Sequence, residues 1–292
     1  MKIAAAIILF NPDKSCLANI NSYINHVQKL YIFDNSEIEH KLKNDIEALP
    51  NVEYYHDKTN KGLSKRLNEG CTLAIRDDYD WLLTMDQDSS FFEGDFIKYM
   101  SYVKQFKAKE TVAMFGLAHE QLASSADCQP EENIRLITSG SLLNLQAFQK
   151  IGLFDEALFI DLVDHDYCIR AFGAGYKTIR FNNILLSHHL GNTVYNASIK
   201  SLFLLKKKKI IHLPMRYYYM VRNTFYLIRK FENQNLPYVN HLRADLNTRL
   251  KIAFFYSRNI RQIWKYVRLG YHDYKLNKMG RIDNLDIFVS NK

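Results

Sequence analysis

The sequence predicts an α/β fold: a Rossmann-like, mostly parallel central sheet with helices on both faces, followed by a helical C-terminal region. Three observations predict it. Short apolar runs alternate with amphipathic helical segments through the first half of the chain. The run Trp81–Met85 is apolar without a break, as a strand covered on both faces must be. From about residue 196 the strand pattern gives way to aromatic and aliphatic residues mixed with Arg and Lys.

Taken in order, Ile3–Phe10 reads as a first strand and Asn11-Pro12-Asp13 as a turn. Leu17, Ile20, Tyr23, Ile24 and Val27 then recur at helical spacing. Leu30–Phe33 is a second strand closed by Asp34-Asn35-Ser36, and Val52–Tyr55 a third. Leu63–Ile75 is a helix, Trp81–Met85 the fourth strand, Phe96–Phe106 a helix and Val112–Leu117 a fifth strand. This βαβα order implies parallel pairing with right-handed crossovers. Asn133–Leu145 and Tyr176–Leu186 look like further strands, with a helix over Asp164–Phe172 between them. Met215–Phe231, Tyr238–Tyr256 and Asn259–Tyr274 read as helices.

Composition bounds what the chain does. With 47% hydrophobic residues, its 292 residues supply ample material for a core. The longest uncharged apolar stretch, Ile3–Phe10, is far short of the roughly 20 residues that span a bilayer, and it lacks a secretory cleavage pattern. Cys16, Cys71, Cys128 and Cys168 are scattered without a Cys-x-x-Cys, so neither a zinc site nor a disulfide framework is indicated, and a cytoplasmic setting fits. The net charge of +8 hides a division: residues 200–292 carry 20 Lys and Arg against 5 Asp and Glu, whereas residues 1–199 carry 19 against 26. Such asymmetry points to a basic region that meets an anionic partner, nucleic acid or a membrane surface, although a solvated basic face explains it too.

The chemistry concentrates where strands end. Trp81–Met85 stops abruptly at Asp86-Gln87-Asp88, and ligands of open α/β sheets bind beyond the carboxyl ends of such strands. Two carboxylates there suit a hard cation such as Mg²⁺ together with substrate phosphates. With 19 aspartates in the chain an Asp-x-Asp arises by chance, and Asp78/Asp80 and Asp164/Asp166 are further instances, so context must rank them. Thr59–Ser64 joins a strand to a helix through Asn60 and Gly62, where backbone and a helix N-terminus can meet a phosphate; a plain loop with a helix cap fits the same residues. Asp34 ends the second strand, where a carboxylate can accept a nucleobase N–H. Asp161, Asp164 and Asp166 crowd a helix start, which N-capping explains for one of them; a carboxylate in a cleft is also what general-base work on a hydroxyl requires. His188 and His189 follow a further strand.

These pieces, in order, resemble a family. Asp34-Asn35-Ser36, Asn60-Lys61-Gly62, Met85-Asp86-Gln87-Asp88, Ser139-Gly140-Ser141, Gly152-Leu153-Phe154-Asp155-Glu156, Asp161-x-x-Asp164-x-Asp166-Tyr167-Cys168-x-Arg170 and His188-x-Leu190-Gly191 look like the family 2 glycosyltransferases of GT-A fold, nearest their bacterial rhamnosyltransferase-like branch. The phrase from Arg216 to Asn223 is similar to an Arg-x-Tyr-Tyr-x-x-Arg-Asn phrase of that branch. The resemblance covers about residues 3–230. It implies a nucleotide-sugar-binding catalytic domain, and the change in charge near residues 195–200 divides the chain into that domain over 1–197 and a basic helical region over 198–292. It implies that Asp34 contacts the nucleobase, that Asn60, Gly62, Asp86, Ser139 and Gly140 line the donor site, and that Asp88 and His188 hold Mg²⁺ or Mn²⁺. It implies Asp164 as catalytic base; Val163 stands where the commoner pattern has glutamate, so Asp161 and Asp166 are the fallbacks. Arg216 or Arg222 is expected at the donor diphosphate.

The implied reaction is an inverting transfer from a nucleoside-diphosphate sugar, rhamnose on deoxythymidine diphosphate by branch, to a hydroxyl of a glycan or lipid-linked acceptor in bacterial surface polysaccharide synthesis. Lys206–Lys209 among apolar residues, with Tyr217–Tyr219, Phe225, Tyr226 and Trp264, suits a peripheral position at the inner face of the cell membrane. A nucleotidyltransferase would share the sheet and paired aspartates, but Phe10-Asn11-Pro12-Asp13 is not the Gly-rich basic loop it usually has. A nucleic-acid-binding protein would use the basic region yet leaves the acidic clusters unexplained, so no nucleic-acid partner is expected.

Overall fold

A computed structural model describes residues 1–119, 130–188, 192–197, 206–234 and 237–282 of the chain. Each apolar run of the first half becomes a strand. β1 (Ile3–Leu9) is followed by α1 (Ser15–Asn21), β2 (Lys29–Asp34), α2 (Lys43–Glu47), β3 (Val52–His56), α3 (Leu63–Arg76) and β4 (Trp81–Asp86). β5 (Ser89–Phe91), α4 (Asp95–Gln105), β6 (Val112–His119), β7 (Pro130–Glu132), β8 (Ser141–Asn144), α5 (Leu145–Ile151), α6 (Val163–Gly173) and β9 (Lys177–His188) complete this part.

Among the described residues these form one nine-stranded sheet in the order β3-β2-β1-β4-β8-β6-β9-β5, with β7 on β9. The first four strands are parallel, and their register is what places the chemistry: Leu9 pairs with Asp34, Ile8 with Asp86, and Asp34 with His56. The carboxyl ends of β3, β2, β1 and β4 therefore stand in one row. β2 and β4 are buried almost throughout, so apolar side chains on both faces give no alternation. Helix α3 lies close over β1 and β2 because Gly70 carries no side chain; a Cβ there would stand 3.1 Å from Ala6 and 3.3 Å from Phe33.

The second half departs from expectation in three places. The strand expected over Asn133–Leu145 is confined to Ser141–Asn144 and runs antiparallel to β4 and β6. Gly140, at φ +74°, turns the chain just before it. β10 (Asn192–Ala197) and β11 (Lys206–Ile211), where no strand is expected, pair as an antiparallel ladder. Lys206–Lys209 thus lies in a strand, held by backbone hydrogen bonds that leave no hydrophobic period in the sequence. Third, Tyr217–Tyr219 is no lipid-facing group. All three rings are buried, Tyr217 with Leu246, Ala253 and Ile263, and Tyr218 and Tyr219 with Phe159, Tyr266 and Leu269. The reason is that α7 (Pro214–Lys230) packs against both α8 (Pro237–Tyr256) and α9 (Ile260–Lys275) and so buries more than one face.

The chain divides into two compact units: Met1–Glu156 with Val163–His189, and Ala157–Leu162 with Leu190–Lys292. The short stretch 157–162 joins the second because Asn223 Nδ2 donates to the carbonyls of Ile160 and Asp161, and Phe159 stacks on Tyr219. Within that unit α9 approaches α7 through Gly270, where a Cβ would meet the Tyr218 carbonyl oxygen at 2.4 Å. Gly270→Ala should therefore lower stability by about 1–3 kcal/mol despite alanine's better helix propensity, the cost of overpacking a tight contact. Thermal unfolding followed by circular dichroism checks it; an unchanged or raised midpoint contradicts the close approach.

Candidate active site

The acidic turn after β4 is tied on both sides. The Gln87 amide accepts from the Phe10 N–H at 2.8 Å and donates to the Phe10 carbonyl, while Asn19 Nδ2 donates to the Gln87 carbonyl. On the other side Ser139 Oγ accepts from the Asp86 N–H at 3.2 Å and donates to Ser89 Oγ at 2.7 Å. Thr84 Oγ1 donates to the Thr138 carbonyl, and the Gly140 N–H to the Thr84 carbonyl. The Ser-Gly-Ser loop is thereby fastened along the end of β4. Gly140 is favoured by its left-handed backbone, and a Cβ there would also push on Leu186 Cδ2, 2.9 Å away. Asp86 and Asp88 are both part-exposed at this turn. His188 ends β9, and in the β5–β9 ladder it is the register partner of Ser89, the residue after Asp88.

Asp34 lies deeper. It has no exposed surface, and its carboxylate accepts from the Tyr54 hydroxyl at 2.6 Å and the Ser36 N–H at 2.8 Å, with His40 Nε2 at 2.8 Å. Burial, reinforced by the Asp34 charge, raises the Tyr54 hydroxyl well above the usual tyrosine range, so it stays a donor. The next residue, Asn35, joins this strand end to the loop after β3. Its Oδ1 accepts from the Lys61 N–H and from Arg66 Nε at 2.8 Å, and its Nδ2 donates to the Gly62 carbonyl. Asn60 Oδ1 accepts from the Gly62 N–H, so Asn60 shapes the loop around Gly62, whose φ is +82°.

Arg66, which sequence reading passed over, organises this corner. Its buried guanidinium donates to Asp57, Glu69, the Thr59 carbonyl and Asn35, and lies over the Phe33 ring. Burial disfavours the Asp57 carboxylate, but Lys61 and Arg66 outweigh that and hold it down at about 2. The signal was available: Arg66 sits on the same helical stripe as Leu63, Gly70 and Ala74, where a cation needs partners.

The three aspartates near α6 part company. Asp166 has no exposed surface and is paired with Arg170 Nε at 2.8 Å; Arg170 in turn donates to the carbonyls of Ile151, Gly152 and Leu153. From α3, the Asn68 amide grips the same turn through the Phe154 N–H and carbonyl. The Gly-Leu-Phe-Asp-Glu phrase is thus a clamped turn. Asp161 belongs to the second unit. Its carboxylate accepts two hydrogen bonds from Arg216 Nε and one from Nη2, the last at 2.9 Å, and both Asp161 and Leu162 adopt left-handed φ, 66° and 63°. Asp164, in the first turn of α6, is part-exposed; its Oδ1 accepts from the His165 N–H.

Arg222, expected at the donor diphosphate, has no exposed surface. It lies between the Tyr218 and Tyr219 rings and donates to Asn223 Oδ1 and the Tyr218 hydroxyl, with one terminal nitrogen lacking a partner among the described residues. In place it is a core residue of the helical unit.

No family model matches the chain. It is 28% identical over 250 residues to the dTDP-rhamnosyl transferase RfbF of Shigella flexneri, across 78% of this chain and 80% of that protein. Its fold matches residues 1–349 of S. aureus TarS in complex with UDP-GlcNAc at a TM-score of 0.54 and 12% identity, over 98% of this chain and 95% of that one. The chain has the GT-A fold of these glycosyltransferase structures. GalNAc-T7 with UDP, GalNAc and Mn²⁺ shares the fold at a TM-score of 0.54 and 14% identity, over 87% of this chain and 56% of that one. The chain spans 44% of the longer TarS chain.

Two outcomes follow from this geometry. Asp166→Asn strands Arg170 in a largely buried setting and should cost about 3 kcal/mol of stability, whereas Asp164→Asn should leave the unfolding midpoint nearly unchanged. Chemical denaturation of both variants checks the contrast. In the second unit, burial, with Arg216 alongside, pushes the His212 imidazole down to about 4. Unfolded histidine titrates near 6.5, so the unfolded chain binds the extra proton first. Stability should be full above pH ~6.5 and fall as the pH drops from there towards 4. His212→Gln should flatten that part of the melting-temperature profile; an identical slope in both proteins contradicts it.

Proposed function

We propose that this protein is an inverting glycosyltransferase that takes a sugar, rhamnose from dTDP-rhamnose as the best fit, to a hydroxyl of a glycan or lipid-linked acceptor presented at the inner face of the cell membrane in bacterial surface polysaccharide synthesis. The observation that carries the reading is the row of strand ends bearing Asp34 and Asp86, with Asp88 two residues on, in a GT-A fold. The RfbF similarity across most of both chains supports the donor, and the TarS complex supports a nucleoside-diphosphate sugar in general.

The parts divide the work by their chemistry. The Asn60–Gly62 loop, fastened to the Asp34 strand end through Asn35, offers backbone where a nucleotide would lie. Buried Asp34 acts from behind that surface, held by Tyr54 and His40. Asp88 and His188 are the residues that would hold a divalent ion, Mg²⁺ or Mn²⁺: Asp88 is part-exposed and precedes Ser89, the backbone register partner of His188. Bound there, such an ion would supply Lewis-acid stabilisation to a departing diphosphate, an effect worth several kcal/mol.

Asp164 is the general base. Asp166 is occupied by Arg170 and Asp161 by Arg216, whereas the part-exposed Asp164 carboxylate accepts from the backbone N–H of the neighbouring His165. It takes the proton from the acceptor hydroxyl while that oxygen bonds to the anomeric carbon from the face opposite the leaving group. The bond from that carbon to the diphosphate oxygen breaks, and the nucleoside diphosphate leaves with the electron pair.

Asp164→Asn should lower turnover roughly 10²–10⁴-fold, the range for a lost general base, and keep donor binding. Nucleoside diphosphate release from dTDP-rhamnose with acceptor, alongside calorimetric donor titration, measures both. Turnover within a few-fold of the parent overturns the assignment of the base; no uptake of any nucleoside diphosphate by the parent, with Mn²⁺ present, overturns the function.

A further inference from the structure

The tip of the α8–α9 hairpin carries apolar side chains that are partly exposed. Phe255 is 38% exposed, Ile260 46% and Trp264 53%. All three lie at the turn between the helices: α8 ends at Tyr256 and α9 starts at Ile260, and the Trp264 ring meets Phe254, the neighbour of Phe255, edge-on at 5.8 Å. On α9, Ile260, Trp264 and Arg268 recur every fourth residue and so share one face. Ile263 and Gly270, on the adjoining side of the helix, are buried in the unit. Around the exposed rings stand Lys251, Arg258, Arg261, Lys265 and Arg268, all exposed. From Lys251 to Arg268 there is no Asp or Glu. No helix among the described residues is long and apolar enough to cross a membrane.

We infer that this tip is a docking surface for an anionic lipid bilayer. An exposed Trp and Ile gain only from an apolar phase they can enter, and an indole among cations suits the headgroup boundary. Each Lys or Arg near an anionic leaflet adds attraction that a neutral one does not supply. Duplex nucleic acid would satisfy the arginines but offers nothing to Ile260 and Phe255. The inference relocates the membrane contact from the tyrosines of α7, which are buried, to α8 and α9. It rests on the lipid-linked acceptor in the proposed function only for its purpose, since the binding needs neither donor nor acceptor.

The full chain is tested by sedimentation with phosphatidylcholine vesicles, with and without phosphatidylglycerol, while tryptophan emission is followed. Trp81 is buried, so a shift on binding reports Trp264. Binding to the anionic vesicles alone, with a blue shift, is expected. Replacing Arg258, Arg261 and Arg268 together by Gln should weaken partition roughly 100-fold, and Trp264→Ala should weaken it while removing the shift. These side chains are exposed, so circular dichroism and donor hydrolysis should stay as in the parent. Equal binding to both vesicle types, no binding, or unaltered binding by both variants overturns the surface. Tight binding to a short DNA duplex, lost in the arginine variant, with no vesicle binding, overturns it in favour of nucleic acid. Failure of glycosyl transfer with vesicle binding intact would count against the proposed reaction and leave the surface standing.

Discussion

The hydroxyl of Ser139 ties three pieces of chain at the carboxyl edge of the sheet: the Asp86 backbone, Ser89 on the next strand, and the loop that carries Gly140. Like charges at a strand end repel, and an untethered acidic turn would splay into solvent. Here neutral groups hold the backbone, with Gln87 reaching to Phe10 and Ser139 to Asp86. The same logic governs the neighbouring strand end. Asn35 and Arg66 fasten the loop around Gly62, and the Arg66 guanidinium offsets the carboxylates of Asp57 and Glu69. A turn held this way is pre-organised, which is what binding a diphosphate and stabilising its departure require.

In the second unit, polar side chains fix backbone. Arg216 and Asn223, seven residues apart on α7 and so on one face, hold the 160–161 stretch by its carboxylate and its carbonyls. Two consecutive left-handed residues there are costly, on the order of 1–3 kcal/mol each, and persist because these bonds over-determine the turn. Arg222 between them points into the core, its charge spread over two tyrosine rings. The Arg-Tyr-Tyr-Tyr-x-x-Arg-Asn phrase thus has a structural part in the helical unit.

Much of the fold was legible because burial leaves a period. Strands covered on both faces read as unbroken apolar runs, and β1 to β4 ended within a residue or so of where Asn-Pro-Asp, Asp-Asn-Ser and Asp-Gln-Asp said they would. The strand pair of residues 192–211 left no such trace, because a ladder at the edge of a small sheet is held by backbone groups that every residue carries. The direction of β8 was equally hidden, since a four-residue apolar segment fits either way.

Local chemistry drew attention to Asp34, Asp86, Asp88, Asp164 and Ser139-Gly140, since carboxylates and small residues at element ends are visible as residue types at fixed offsets. Which carboxylate is occupied was decided only in three dimensions. Asp166 meets Arg170 one helical turn on, a pairing that spacing allows but does not require; Asp161 meets Arg216 across 55 residues of sequence. Residue identity limits what a side chain can do, while its partners, brought in from distant segments by packing, determine what remains for it to do.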